Sequence, residues 1–353
     1  MIRGDFMAKK KNEEKFNYNE TVRRLKDEGP QRLYFIWGPE DYLSDLFFQE
    51  IKKLCVTDEG DDFSYRRLTD RDFEPVALME AIDSVPFLSE RTLVEVRGVD
   101  TNKLKNADEV LKALADIPDY CTVVFINDST FEPDKRLKFY KSFLKNCVEV
   151  HVTAQPGDQL LNWIVRRFSA LGKGIEVNAA QRLISVSGDL MNRLIPEINK
   201  IASYARGDKV TVEDVNAVAH HIPEAVVFDM TECLARGENN EAMALLAELL
   251  SDKDNEPTQI LAIIGIQMRQ LYAARVAIDA NLGKDYVMKT CGLRFDFIAT
   301  KLIVSARRYT TEQLKRAVEL CAETDYAMKS TKTEPVELLK ECVMRIAAGE
   351  ADA

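Results

Sequence analysis

From Leu33 to Trp37 the chain carries an unbroken apolar run that stops at Gly38-Pro39. Apolar residues then return at Leu43, Leu46, Phe47, Ile51 and Leu54, the spacing of one helical face. A strand, a turn and a helix are predicted. The pattern then repeats. Strands are predicted at Phe63–Leu68, Thr92–Val96, Cys121–Ile126 and Val148–Val152, and helices at Pro75–Ile82, Asn106–Leu114 and Lys138–Leu144. The Cys121–Ile126 run is apolar at nearly every position, as in strands covered on both faces of a parallel sheet. Strands alternating with helices predict an α/β domain with a largely parallel sheet over residues 21–153.

Beyond Gln155-Pro156-Gly157 the strand pattern ends. Helical spacing marks Leu160–Leu171, Ala179–Val186 and a helix opening near Gly188-Asp189 with Leu190, Leu194, Ile198 and Ile201 on one face and Pro196 inside it. These predict a small helical domain over 154–223, edged by His220-His221-Ile222-Pro223. The remainder, 224–353, is helical: Val226–Arg236, Glu241–Ser251, Pro257–Ala280, Tyr286–Thr290, Phe295–Arg307, Thr311–Lys329 and Pro335–Ala348. The Pro257 helix is the most apolar, which predicts a central place in its bundle. Thr310-x-x-Gln313 has the form of a capping box, and Pro335 suits a first helical turn. Residues 1–20, with Lys9-Lys10-Lys11, lack an apolar period and are expected to be a flexible leader.

A chain of 353 residues has the material for two or three domains. Its seven cysteines are scattered, with no C-x-x-C pair, and it has three histidines, so neither a disulfide framework nor a structural zinc site is expected. No apolar run approaches the roughly 20 residues needed to span a bilayer, which predicts a soluble, cytoplasmic protein without membrane contact. A net charge of -10 weighs against a mainly electrostatic nucleic-acid binder and makes proteins the first partners to consider.

The opening strand, turn and helix have the layout of a phosphate loop, whose pattern requires a second glycine, a lysine and a serine or threonine. Counted from Gly38, those places hold Leu43, Ser44 and Asp45, and Glu40, Asp41 and Asp45 would repel a phosphate at the helix N-terminus. A second nucleotide-site element would be an apolar strand ending in paired acids. Val123–Ile126 ends instead in Asn127-Asp128, with one acid. No ATP, magnesium or other cofactor is expected. No catalytic or metal constellation is expected either: His220 and His221 lie in a domain connection, Asp61-Asp62 and Asp70 with Asp72 read as loop charges, and Cys321 and Cys342 read as core. Val85-Pro86-Phe87-Leu88 is more suggestive. Pro86 stops the preceding helix, and the apolar residues after it either close the core above the next strand or, if they protrude, anchor in a partner's groove. Spacing alone favours core closure.

Several passages, taken in their order and spacing, resemble the delta subunit family of bacterial DNA polymerase III clamp loaders, over about Arg32 to Ala348. They are Leu33–Leu43, Pro86–Arg91, the helix from Gly188 through Glu197, Lys200 and Tyr204, Val227-Phe228-Asp229, and Gln267–Leu271. The resemblance implies an AAA+-like parallel-sheet domain with a degenerate nucleotide site, a helical lid domain and a C-terminal helical collar domain. It further implies a replisome subunit that opens the ring-shaped sliding clamp (beta) without hydrolysing ATP, although it is a component of a DNA-directed DNA polymerase holoenzyme. The implied partners are ATPase subunits (gamma/tau), a delta-prime subunit, and primed DNA reached through the assembly. The apolar pair that the family inserts into the clamp corresponds here to Pro86 and Phe87, with Leu88 adjoining. Proline departs from the leucine of some members, so Phe87 carries the expectation. The rival classes are an active ATPase, a DNA-binding repair factor and a non-catalytic scaffold that ignores the clamp.

Overall fold

The computed structural model describes residues 16–57 and 61–349, with the side chains of Asp61 and Asp62 outside that description. By contacts the chain falls into two compact units, one running to Ala154 with Leu190–Asn192, the other comprising Gln155–Asp189 and the chain from Arg193.

In the first unit the elements are α1 (Tyr18–Glu28), β1 (Leu33–Trp37), α2 (Asp41–Cys55), α3 (Asp61–Ser64), β2 (Tyr65–Thr69), α4 (Pro75–Asp83), β3 (Thr92–Arg97), α5 (Ala107–Ala115), β4 (Cys121–Ile126), α6 (Lys138–Phe143) and β5 (Val148–His151). All five strands are parallel, in the order β2-β3-β4-β1-β5. The chain sequence explains the order: β1 and β4, the two nearly unbroken apolar runs, are buried at every position and take inner places. β2, with Arg66 and Arg67 exposed, is left at an edge. On one face Phe35, Phe125 and Phe143 meet edge to face, with centroids 5.3 Å and 5.1 Å apart.

On the sheet, burial pushes the Tyr34 phenol up to about 12, partly offset by the Gln31 N–H that donates to its oxygen at 2.9 Å. Because the folded pKa lies above the ordinary 10, the unfolded chain ionises first. The stabilisation is complete below pH 10 and is lost as pH rises from 10 towards 12. Urea midpoints should therefore fall in that window, with Tyr34 accounting for about 1 kcal/mol at pH 11. Tyr34→Phe should flatten the fall by that amount, and an unchanged slope would assign it to other groups.

The second unit comprises α7 (Gly157–Ala170), β6 (Gly174–Ile175), α8 (Val177–Ser187), α9 (Met191–Tyr204), β7 (Lys209–Val210), α10 (Val212–Val218), α11 (Pro223–Arg236), α12 (Asn239–Ser251), α13 (Pro257–Asp279), α14 (Lys284–Cys291), α15 (Asp296–Ala306), α16 (Thr311–Ser330) and α17 (Pro335–Ala348). Leu190 and the first two residues of α9, Met191 and Asn192, cluster with the first unit. β6 and β7 form a two-stranded parallel ladder. The helices expected as lid and as collar fall in this one unit. α13 is its axis: Ile260, Leu261, Ile264, Met268 and Leu271 are buried, and α11, α14, α15, α16 and α17 pack on it. The capping box of α16 is formed in both directions, Gln313 N–H to Thr310 Oγ1 at 3.1 Å and Thr310 N–H to Gln313 Oε1 at 2.9 Å.

Two local expectations are corrected, and one further helix had no expectation to match. The polar leader expected over 1–20 overlaps α1, which starts at Tyr18; residues 1–15 lie outside the described residues. The second strand starts at Tyr65, and Phe63 and Ser64 belong to α3. α10 was not read from the pattern because Val215 is its one buried residue.

Candidate partner-binding tip and the phosphate-loop position

At the phosphate-loop position the turn is occupied by the protein itself. Gly38 has φ +137, and a Cβ placed on it would lie 2.2 Å from the Val152 carbonyl oxygen, which follows β5. Leu43 and Ser44 are interior residues of α2, and the Ser44 hydroxyl donates to the Glu40 carbonyl at 3.3 Å. The Glu40 side chain is fully buried; its carboxylate accepts the Met191 N–H, from the short segment that clusters with this unit, at 3.0 Å and 3.3 Å. Asp41, at the first turn of α2, has its carboxyl raised by burial and by the nearby Asp128 and Asp45, although Ser129 donates to it at 3.1 Å. Carboxylates thus stand where a nucleotide's phosphates would need donors and cations, and the residues present do not fit that group.

The end of β4 is equally committed. Asn127, buried, donates its backbone N–H to Ile36 O at 3.0 Å and its side-chain amide to Val99 O at 2.9 Å. Asp128 accepts from the Thr130 hydroxyl and N–H, which hold its carboxyl below the usual range. Asn127 thus ties β4 to β1 and to the chain after β3, and Asp128 closes its own turn.

The chain between α4 and β3 is different. α4 ends at Asp83, three residues before Pro86, whose ring forbids further helix, and Thr92 Oγ1 donates to Ser84 O at 2.8 Å. Between these points the loop is clipped from two directions. The Ser64 hydroxyl, on fully buried Ser64, accepts the Phe87 N–H at 2.9 Å and approaches the Phe87 carbonyl at 2.9 Å. The Thr57 hydroxyl donates to Leu88 O at 2.6 Å, the Thr57 N–H donates to Ser89 Oγ at 3.2 Å, and the Arg91 N–H donates to Cys55 O at 3.1 Å. Leu88 has φ +60, and Asn281 is the one other non-glycine with positive φ among the described residues. A leucine in this region costs about 1–2 kcal/mol, tolerated where the surroundings impose it.

This rigid backbone holds its apolar side chains outward. Val85 is 70% exposed, Phe87 58% and Leu88 58%, while Pro86 is half-buried. The side chains at 87 and 88 therefore project and do not close the core, contrary to what spacing favoured. Phe63 of α3 joins them, 64% exposed and edge to face with Phe87 at 5.5 Å between centroids. Of the six large apolar side chains more than 57% exposed among the described residues, Phe63, Val85, Phe87 and Leu88 make four. Concentrated exposure of this kind makes the tip a candidate contact surface. Phe63 was missed in the sequence because it precedes Tyr65-Arg66-Arg67-Leu68 as one more residue of strand-like composition.

The His220 N–H donates to Glu197 Oε2 at 2.9 Å, tying the domain connection to α9, and burial lowers the His221 pKa. Asp72 caps its own turn by accepting from Thr69 N–H and Oγ1. Cys321 and Cys342 are buried in the bundle core. The Asp61 and Asp62 side chains lie outside the described residues. No helix among the described residues is long and apolar enough to cross a membrane.

Comparison with known proteins sets this geometry in a family. Residues 34–153 match the family model described as DNA polymerase III, delta subunit, and residues 224–346 match that of the DNA polymerase III delta subunit, C-terminal domain. Between them they take in more than half of the chain. The DNA polymerase III subunit delta of Bacillus subtilis (strain 168) is 23% identical over 327 residues, covering 89% of this chain and 92% of that protein. A probable DNA polymerase III subunit delta of Aquifex aeolicus (strain VF5) is 23% identical over 186 residues, covering 52% and 53%. The solved structure of the Bacillus subtilis DNA clamp loader delta protein superposes with a TM-score of 0.52 at 20% identity, over 94% of this chain and 100% of that one. That likeness establishes the fold, a parallel-sheet unit followed by a largely helical one. With its two family-defining regions in this order, the chain belongs to the DNA polymerase III delta subunit family.

Proposed function

We propose that this chain is the clamp-opening subunit of a bacterial DNA polymerase III clamp loader, acting through the tip at Phe87 and Leu88 and hydrolysing no ATP itself. The observation that carries the proposal is an exposed apolar pair on a backbone clipped from two sides, in a member of this family. Its ring partners are ATPase subunits and a delta-prime-like subunit, met through the C-terminal helices. Primed DNA is reached through the assembly, and the site of action is the cytoplasmic replisome. The acidic balance of the chain agrees with DNA being gripped mainly by other subunits.

The mechanism is differential binding. ATP on neighbouring subunits arranges the ring so that the tip reaches the clamp, and contact with the tip favours the clamp's open state. No bond is made or broken in this chain. Turning a clamp that is 1% open into one that is 99% open requires a differential affinity worth about 5.5 kcal/mol. Burying the exposed parts of Phe87 and Leu88, each 58% exposed, supplies about 2–3 kcal/mol. The pair is therefore a foothold, and the balance has to come from other contacts or from the assembly.

The test is a nucleotide-free titration of the full chain against its ring-shaped clamp, with a fluorophore pair across a clamp interface reporting opening. Binding accompanied by separation of the pair supports the proposal. A folded chain that joins its ring partners but neither binds nor opens the clamp would leave the scaffold reading, and saturable ATP binding by the isolated chain would restore the ATPase reading.

A further inference from the structure

Resting on that reading, we propose that the clamp-facing surface is a composite of two chain segments, in which Phe63 is a second aromatic anchor beside Phe87 and Ser64 is the positioning residue that joins them. The two rings meet edge to face with centroids 5.5 Å apart, yet Phe63 remains 64% exposed, so the contact leaves most of its surface for a partner. Ser64, next in the chain to Phe63, is fully buried, and its hydroxyl reaches both the N–H and the carbonyl of Phe87 at 2.9 Å. One side chain therefore sets Phe87 relative to Phe63, across a separation of 23 residues. Such fixing in advance removes part of the ordering cost that a free loop pays on binding.

The surface this makes is wider than a single inserted dipeptide. Phe63, Phe87 and Leu88 present three apolar side chains from two segments, with Val85 at the margin. The matching feature on the sliding clamp is an apolar groove broad enough for two rings at an angle of 72°, rather than a slot for one. Well-packed aromatic anchors at the centre of an interface carry most of its affinity. The added ring also supplies part of the differential that Phe87 and Leu88 fall short of.

The experiment measures clamp affinity of the full chain carrying Phe63→Ala, Ser64→Ala or Phe87→Ala, with circular dichroism and thermal melts on each. Phe63→Ala removes a mostly exposed side chain, so its melt should match the wild type while its Kd rises about tenfold. Ser64→Ala should raise Kd by a similar factor and speed hydrogen exchange of the Phe87 amide in particular. A global loss of structure would speed exchange throughout, and the Phe63 variant then decides the matter alone. Wild-type affinity in folded Phe63→Ala, with binding lost in Phe87→Ala, would overturn this inference and leave the clamp reading intact. Wild-type affinity in both would remove the clamp reading and this inference together.

Discussion

Phe87→Ala is expected to weaken capture of the sliding clamp about 30-fold, about 2 kcal/mol, with the melting temperature unchanged. The side chain is 58% exposed, so truncating it leaves little cavity and costs the fold little. The same ring in a partner's pocket would be fully desolvated, where aromatic truncations cost most. Leu88→Gly is the informative companion. Glycine relieves the strain at φ +60 and should leave stability equal or slightly higher, while removing the apolar side chain should lower clamp affinity. Opposite signs for stability and binding at one position would mean that the strained backbone is kept for the contact. Pro86, half-buried, should tolerate alanine with less loss of affinity than either neighbour. These affinities can be read by calorimetry on folded variants, and an unchanged Kd for Phe87→Ala would move the clamp contact away from this loop.

Gly38→Ala is expected to cost the first unit about 3 kcal/mol or more in denaturant unfolding. In the sequence this glycine looks like a remnant of a phosphate loop, which would make its replacement harmless if no nucleotide were bound there. The structure places another constraint on it. The Val152 N–H donates to Trp37 O at 2.8 Å where the chain leaves β5, bringing the Val152 carbonyl to 2.2 Å from any Cβ at residue 38. With φ at +137, a conformation that L side chains rarely adopt, alanine faces a backbone clash and an unfavourable dihedral at once. Relief would have to break the closing hydrogen bond between β1 and β5. A loss under 1 kcal/mol would show that this crossing yields, and that Gly38 is retained for no packing reason.

Much of the architecture was legible because burial and periodicity coincide there. β1 and β4 read as buried strands from composition alone and are buried at every position. α13 read as a bundle axis from its all-round apolarity and is packed by five other helices. The misses are where one of those signals is weak. α1 buries Leu25 alone and is otherwise polar, so it carried no apolar stripe. β6 and β7, two residues each, are too short for a period of two to show. Phe63 reads as strand because an aromatic before Tyr-Arg-Arg-Leu satisfies strand composition, whereas its neighbour Ser64 is tied to Phe87, far along the chain.

By itself the sequence determined the strand–helix alternation of the first 150 or so residues, the helical remainder, the missing phosphate-loop lysine and the proline that ends α4, because each depends on neighbours within a few turns of chain. The tertiary structure alone decided that Phe87 and Leu88 face outward, that Phe63 stands beside them, that Glu40 is buried against the Met191 N–H, and that Gly38 is required by Val152. Each of these depends on groups brought together from 23 to 151 residues apart, and no local period records which distant donor will meet which carbonyl.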